Sequence, residues 1–213
     1  RIPGPSADEE SELKGVRAML AIATEAMSVP MPGVDAEQAA WETEWSEKLR
    51  ARWNVLESVT AASAEGTTFT TLEDQSLLVG GENPATSTYE IVAPLPTTTV
   101  TAIRLETLQD ESLPENGPGR APNANFVLTE FEAEILRPGA ESDPLAIGFD
   151  SAEADFSQND YDIRLAIDGN AETGWAILDD NIVGPGTAFF VPREAAHGEA
   201  GSQIRIRLKH EGK

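Results

Sequence analysis

The chain lacks cysteine and has only two histidines, His197 and His210, among its 213 residues. The absence of thiols excludes disulfides, thiolate zinc sites, iron–sulfur clusters, covalent haem attachment and a Cys nucleophile. A Ser–His–Asp site would need one of the two histidines, and no G-x-S-x-G motif precedes them. No apolar run approaches the length of a membrane span. We therefore expect a binding or architectural chain rather than an enzyme, with no haem of its own.

Basic residues are also few, since 15 Lys and Arg stand against 37 Asp and Glu, a formal net charge of −22. Such a surface repels phosphate backbones and anionic lipid, so we expect neither nucleic-acid binding nor membrane insertion. It is compatible with cations, neutral sugars and basic proteins, although the acidity could equally serve solubility alone. The 40% hydrophobic content is enough for a buried core.

The first 52 residues predict a short linker and a helical hairpin. Leu13, Val16 and Leu20 recur at helical spacing between residues 8 and 27, and a Pro/Gly-rich turn follows. Asp35 is expected to cap a second helix that runs to about residue 52 and carries Trp41 and Trp45 on one face. This face could bind a sugar or a partner, but we expect it to pack on the first helix or on the β domain.

Residues 53–213 predict a β domain, because Thr, Val, Ile and Phe become frequent, period-2 alternation appears and Gly or Pro recurs between short segments. Frequent turns between short strands favour a β-sandwich or jelly roll over βαβ units. The last predicted strand alternates Ile and Leu with Arg and Lys, so one face should enter the core. The predicted strands are 53–58, 67–72, 77–80, 88–93, 100–108, 126–135, 145–149, 164–167, 174–177, 187–192 and 203–209.

The sharpest local signal is the acidic turn at residues 168–175, which reads DGNAETGW. Asp168, Asn170 and Thr173 place hard oxygens around one tight loop, as calcium prefers, and Trp175 would fill the core beneath it. The alternative is a turn that the Asp and Asn side chains stabilise without any metal, which is the commoner arrangement for such residues. On the strand 126–135, Glu130 follows Leu128 on a partly apolar face, so it should be solvated, ion-paired or bound to a metal.

A second candidate region is the long loop at residues 113–125, which reads LPENGPGRAPNAN. Arg120 and Asn123 could hydrogen-bond sugar hydroxyls, or they could fasten the loop to its own backbone. Tyr161 and Asn181, in loops near the acidic turn, complete the predicted ligand set. An aromatic face suits the C–H side of a sugar, whereas Asn and Arg suit its hydroxyls.

Two segments together, residues 101–134 and 154–177, resemble a module of the large cytochrome-containing proteins of planctomycete bacteria. The motifs that carry the resemblance are GPGR followed by NFVLTE, and DGN followed by TGWA. Two positions depart from the family pattern, because Gln75 and Ala124 stand where the family usually has Gly. The resemblance spans roughly residues 37–209 and implies an exported protein located in the periplasm, at the cell surface or outside the cell.

The same segments resemble the galactose-binding, discoidin-like jelly roll, in which a DG-x-x-x-T-x-W turn and a Glu on the last strand bind a structural Ca²⁺. That resemblance implies Glu130, Asp168, Asn170 and Thr173 as calcium ligands. Here the Glu strand precedes the turn, which predicts a circularly permuted jelly roll or two abutting units. The chain ends soon after its last predicted strand, so the domain could also lack its final strand.

The sequence thus predicts a mainly β chain, a galactose-binding-like β-sandwich at residues 53–213 preceded by a helical hairpin at residues 1–52. Its predicted function is non-catalytic binding of a glycan or cell-surface polymer within a cytochrome-associated multidomain protein. The alternative is a structural or interaction domain that packs against other domains or chains of a redox or surface assembly and has no ligand of its own.

Overall fold

The computed structural model describes residues 6–28, 32–50, 53–57, 59–64, 66–96, 99–139, 143–178 and 184–211. The chain divides into two compact units, Arg1–Asn54 and Val55–Lys213. The first contains two helices, and the described part of the second contains twelve strands in antiparallel sheets. The prediction of a mainly β chain with helices at its N-terminus is confirmed.

The two helices are α1 (Ala7–Ser28) and α2 (Pro32–Arg50). Proline suits the first turn of α2 because its φ is already helical and its missing N–H has no partner there. Asp35 therefore lies within the first turn, where its charge complements the helix dipole. The prediction that Asp35 caps this helix is wrong.

Apolar side chains on both helices remain exposed. Trp41 and Trp45 are 60% and 39% exposed, with ring centroids 6.2 Å apart, and Leu20 of α1 is 65% exposed. Every helical residue whose burial the structure describes is in fact exposed. The predicted packing of the Trp-bearing face on the first helix is therefore wrong for the described side chains.

The second unit is built from short strands that form four sheets. The strands are β1 (Thr60–Ala62), β2 (Thr67–Thr71), β3 (Leu77–Gly81), β4 (Ser87–Pro94), β5 (Thr99–Val100), β6 (Ile103–Thr107), β7 (Glu130–Leu136), β8 (Leu145–Ile147), β9 (Phe149–Ala154), β10 (Gly186–Pro192), β11 (Ala196–His197) and β12 (Gln203–His210). The orders of the strands in the four sheets are β1-β4-β12-β7-β8, β6-β10-β9, β11-β5 and β2-β3.

Strand β12 is the middle strand of the five-stranded sheet. Its Ile206 lies opposite Ile91 of β4 and Ala133 of β7, and both pairings are antiparallel. Because side chains alternate along a strand, Ile204 and Ile206 are buried, while Arg205 and Arg207, which follow them, lie on the outer face. The predicted division of this strand into an apolar and a basic face is confirmed.

Aromatic rings join two of the sheets in the core. Phe131 of β7 stacks on Phe190 of β10, with ring centroids 3.7 Å apart and an interplanar angle of 4°. Phe149 of β9 packs against both rings at 5.4 and 5.7 Å. Since β7 belongs to the five-stranded sheet and β10 to the three-stranded sheet, this cluster buries residues of both in one apolar core.

Several predicted strands have another structure. Residues 164–167 overlap the 3-10 helix Ile163–Ala166, because the Asp162 carboxylate accepts the Arg164 N–H at 3.0 Å and caps it. The segment 174–177 makes one isolated bridge, and 53–57 forms no strand. The predicted strand 100–108 is interrupted after Val100, the strand predicted at 126–135 begins only at Glu130, and β1, β9 and β11 were not predicted.

Candidate functional site

The acidic turn and the Glu-bearing strand meet at an isolated antiparallel bridge. The Leu128 N–H donates to the Trp175 carbonyl at 2.8 Å, and the Trp175 N–H donates to the Leu128 carbonyl at 2.9 Å. Gly174 permits this approach, because a Cβ there would lie 2.6 Å from the Leu128 carbonyl oxygen. Trp175 is fully buried, and its indole N–H donates to the Phe156 carbonyl at 3.0 Å. The indole thus anchors the turn to the core.

The turn is held by its own side chains. Asp168 accepts the Asn170 N–H at Oδ1 (2.8 Å) and the Thr173 hydroxyl at Oδ2 (2.9 Å). Asn170 accepts the Glu172 N–H at Oδ1 (3.2 Å), and Gly169 adopts a φ of 78°. This is the arrangement of an Asx-stabilised turn, the metal-free alternative considered from the sequence. It also gathers carboxylate, amide and hydroxyl oxygens in one exposed loop.

Glu130 lies beside this turn. Burial raises the pKa of the Glu130 carboxyl above its usual 4.5, and the negative charge of Asp168 raises it further. The backbone N–H groups of Gly169 and Asn170 act in the opposite direction. Its Oε1 atom is buried without a hydrogen-bond donor among the described residues. The structure therefore brings together all four residues predicted as calcium ligands, with one carboxylate oxygen unsatisfied.

The oxygen atoms at this place fit a hard cation. Calcium takes carboxylate, amide, hydroxyl and backbone carbonyl oxygens in flexible geometry. Within the described ranges, no group of three or more His, Cys, Asp or Glu side chains is placed to share a metal. A cation here would therefore bind Glu130 and Asp168 together with neutral oxygens such as those of Asn170 and Thr173. It would also relieve the repulsion between the two carboxylates.

Arg120 lies in a cavity of about 460 Å³ between the β2–β3 hairpin and the loop that follows β6. Its guanidinium donates from Nη2 to the Gly81 carbonyl at 2.8 Å, and Asn83 donates from Nδ2 to the Arg120 carbonyl at 3.1 Å. The other terminal nitrogen, Nη1, is buried and has no acceptor among the described residues. The cavity is lined by Thr70, Leu78, Val79, Gly80, Gly81, Asn83, Ser112, Leu113, Pro114 and Arg120.

The other predicted ligand residues do not join Arg120. Asn123 is exposed, and its Oδ1 accepts the Asn125 N–H at 3.3 Å, which fastens the loop as the alternative interpretation proposed. Tyr161 is half-buried in a backbone turn, with its N–H bonded to the Gln158 carbonyl at 2.9 Å. Neither residue lines the Arg120 cavity. Asn181 lies outside the described residues.

An ion-pair network covers the outer face of the five-stranded sheet. Arg207 pairs with Glu134 at 2.9 Å, with Glu90 at 3.1 Å and with Glu132 at 3.8 Å, and Lys209 pairs with Glu132 at 2.6 Å. Arg205 adds a close contact to Glu134. These basic residues thus neutralise the glutamates of the neighbouring strands, and no anionic ligand is needed to satisfy them.

Most residues that line the Arg120 cavity could not be predicted from the sequence. Thr70, Asn83, Ser112 and Leu113 belong to separate segments, and nothing in their local pattern indicates that they meet. A usable signal was Arg120 itself, a cation in a Gly/Pro-rich loop of a strongly acidic chain. Strands β2 and β3, which contribute residues to the cavity, could be predicted individually, but the packing of their hairpin on the loop could not.

Comparison of the chain with protein-family models, with curated proteins and with solved structures returned no match. Among the described helices, none combines the length and the apolar character that crossing a bilayer requires. The chain's own residues and the resemblances described from its sequence therefore carry the inference of its function.

Proposed function

We propose that this chain is a non-catalytic module that binds a glycan or a cell-surface polymer. The observation that carries the proposal is the Arg120 cavity, whose wall combines this guanidinium with polar and apolar side chains. Sites for small ligands combine an apolar lining with a few placed polar groups, and their volumes are of this order. Leu78 and Pro114 offer the apolar surface, while Thr70 and Asn83 offer hydrogen bonds.

We further propose that the second unit is a galactose-binding-like β-sandwich. The stacking of Phe131 on Phe190 supports two sheets that share one core. Gln75 and Ala124, which replace the Gly of the resembled planctomycete family, adopt φ values of 70° and 62°. Backbone in this left-handed region normally calls for Gly. At both positions that depart from the family's Gly, the backbone still has the left-handed conformation that Gly favours, which supports the resemblance.

A structural Ca²⁺ at Glu130, Asp168, Asn170 and Thr173 belongs to the same proposal. The unsatisfied Glu130 oxygen beside the Asp168 carboxylate supports it. Location in the periplasm, at the cell surface or outside the cell, and association with a cytochrome-bearing multidomain protein, rest on the family resemblance alone.

A glycan array tests the proposed function. It compares the wild-type chain with a matched pair of variants, Arg120→Met and Arg164→Met. Arg164 pairs with Asp162 at 2.7 Å at the surface and does not line the cavity, so its loss controls for charge. We expect Arg120→Met to abolish binding and Arg164→Met to preserve it. The proposal would be contradicted if the wild-type chain binds no glycan, or if the Arg120→Met variant still binds the glycan that the wild type binds.

The second candidate is an interaction domain without its own ligand. The exposed apolar residues of α1 and α2 favour it, among them Leu20, Ile22 and Trp41 at 65%, 68% and 60% exposure. Exposed apolar surface of this kind marks contact sites for other proteins. If this role is correct, replacing Trp41 and Leu20 by Ser should release a co-purifying partner chain, while the glycan array stays blank for the wild type.

A further inference from the structure

We propose that the Arg120 cavity selects a sugar that carries a carboxylate, such as a hexuronate residue. The inference deepens the proposed function and rests on it, because it takes carbohydrate binding as given and assigns the charge of the ligand.

The guanidinium of Arg120 is oriented before any ligand arrives. The bond from Nη2 to the Gly81 carbonyl fixes its plane, and the bond from Asn83 holds its backbone. Among the ligand groups that could bond a guanidinium at the cavity wall, a carboxylate forms the strongest bonds, because hydrogen bonds between ions are roughly twice as strong as neutral ones.

The lining of the cavity includes a base and no acid, although the chain as a whole is acidic. Arg120 is its one charged lining residue, although the chain has 37 acids and 15 bases. Asp110, whose carboxylate accepts the N–H (2.9 Å) and the hydroxyl (2.6 Å) of Ser112, does not line the cavity. Among the described lining residues the guanidinium therefore meets no acid, and an anionic ligand can pair with it.

The remaining wall suits a sugar ring. Leu78, Val79, Leu113 and Pro114 form an apolar side that the C–H face of a pyranose can cover. Ser112 donates its hydroxyl hydrogen to Asp110, so its oxygen remains free to accept a hydrogen bond from a sugar hydroxyl. Because a chain with a net charge of −22 repels a long polyanion, we expect the ligand to present a single carboxylate at this site.

Isothermal titration with four small ligands measures the selectivity. The ligands are glucuronate, its neutral methyl ester, glucose and acetate. We expect glucuronate to bind about tenfold or more tightly than each of the others, the difference between a charged and a neutral hydrogen bond. Acetate lacks the ring, so it separates a sugar site from a general carboxylate site.

Two variants on β2 locate the site without disturbing Arg120. Thr70 lines the cavity, whereas its neighbour Thr71 does not, and both are exposed. Thr70→Glu places a carboxylate within the cavity and should abolish glucuronate binding, while Thr71→Glu, with the same charge change, should leave it unchanged. Arg120→Lys keeps the charge but loses the planar fork, so it should weaken binding by at least tenfold. Thermal melts verify that each variant is folded.

The outcomes separate this inference from the proposed function. If glucose or the methyl ester binds as tightly as glucuronate and Thr70→Glu abolishes that binding, the glycan function stands and selection of a carboxylate is wrong. If acetate binds as tightly as glucuronate, the sugar specificity is wrong. If no saccharide of either charge binds the wild type here or on the array, both proposals fail.

Discussion

Leu128 and Trp175 exchange two backbone hydrogen bonds of 2.8 and 2.9 Å although neither residue lies in a regular strand. Both side chains are essentially completely buried. This single bridge sets the acidic turn against the start of β7, and Glu130 is the first residue of that strand. The juxtaposition of Glu130 and Asp168 is therefore a consequence of the bridge, and so is the candidate cation site.

The bridge depends on a residue without a side chain, which gives the first prediction. In Gly174→Ala the new Cβ would lie 2.6 Å from the Leu128 carbonyl oxygen and 2.9 Å from Val127 Cγ1. Because the obstacle is partly backbone, the bridge must separate, and we expect a loss of about 2–4 kcal/mol in urea unfolding. Gly148→Ala is the control, since its Cβ would meet nothing closer than 3.8 Å. Equal stability of the two variants would contradict the role of the bridge.

A second prediction concerns the left-handed turn between β2 and β3. Gln75 is exposed and has a φ of 70°, which costs a residue with a side chain about 1–2 kcal/mol. Gln75→Gly relieves that strain but adds entropy to the unfolded chain, so we expect a net gain of about 0.5–1 kcal/mol in the free energy of unfolding. Gln203→Gly, at an exposed position with extended backbone in β12, should destabilise instead. A loss in both variants would show that Gln75 is not strained.

Local chemistry explains which parts of the fold and site the sequence reveals. The alternation of β12 has a direct local cause, so this strand could be predicted. The meeting of Glu130 with the acidic turn could be expected from a resemblance, because the two segments are 38 positions apart (168 − 130) and no local pattern links them. The Arg120 cavity joins residues from β2, β3 and a loop, and its packing requires the tertiary structure.

The third prediction is that calcium and proton binding compete at Glu130. Folding raises the pKa of the Glu130 carboxyl, so the folded chain holds the carboxyl proton more tightly than the unfolded chain does. Once the pH rises past the folded-state pKa, the ionised carboxylate therefore destabilises the fold. With a chelator at pH 7, Glu130→Gln should therefore melt at a higher temperature than the wild type. Calcium at a hundred times its Kd should stabilise the wild type by about 2.7 kcal/mol.

The calcium response separates the ligand residues from their neighbours. Glu130→Gln and Asp168→Ala should both abolish the rise in melting temperature, whereas Glu132→Gln, whose carboxylate pairs with Lys209 at 2.6 Å, should keep it. A wild-type melting curve that is the same in calcium and in chelator would refute the metal site. It would leave the Asx-stabilised turn as the complete description of residues 168–173.

The fourth prediction concerns the ion-pair network on the outer face. Arg207 contacts three glutamates, and Glu134, its partner at 2.9 Å, has only 13% of its side chain exposed. Arg207→Met would leave that carboxylate with Arg205 as its remaining cationic partner, so we expect a loss of about 1 kcal/mol, which shrinks in 1 M salt. Arg164→Met removes a pair that lies entirely at the surface and should not measurably change stability. Identical effects of both variants would show that the network adds nothing beyond isolated surface pairs.

The fifth prediction follows from His210, which ends β12 beneath the Tyr89 ring, with centroids 4.9 Å apart. Burial lowers the pKa of His210 below its usual 6.5, although the Val127 carbonyl, 2.7 Å from Nδ1, opposes the shift. The unfolded chain therefore takes up this proton first, so the contribution to stability is complete above pH 6.5 and is lost as pH falls through the folded pKa. His210→Gln should flatten the fall in stability between pH 7 and pH 5, measured by urea unfolding. His197→Gln, which replaces an exposed ring, should retain the wild-type slope, and a wild-type slope in both variants would exclude His210 as its source.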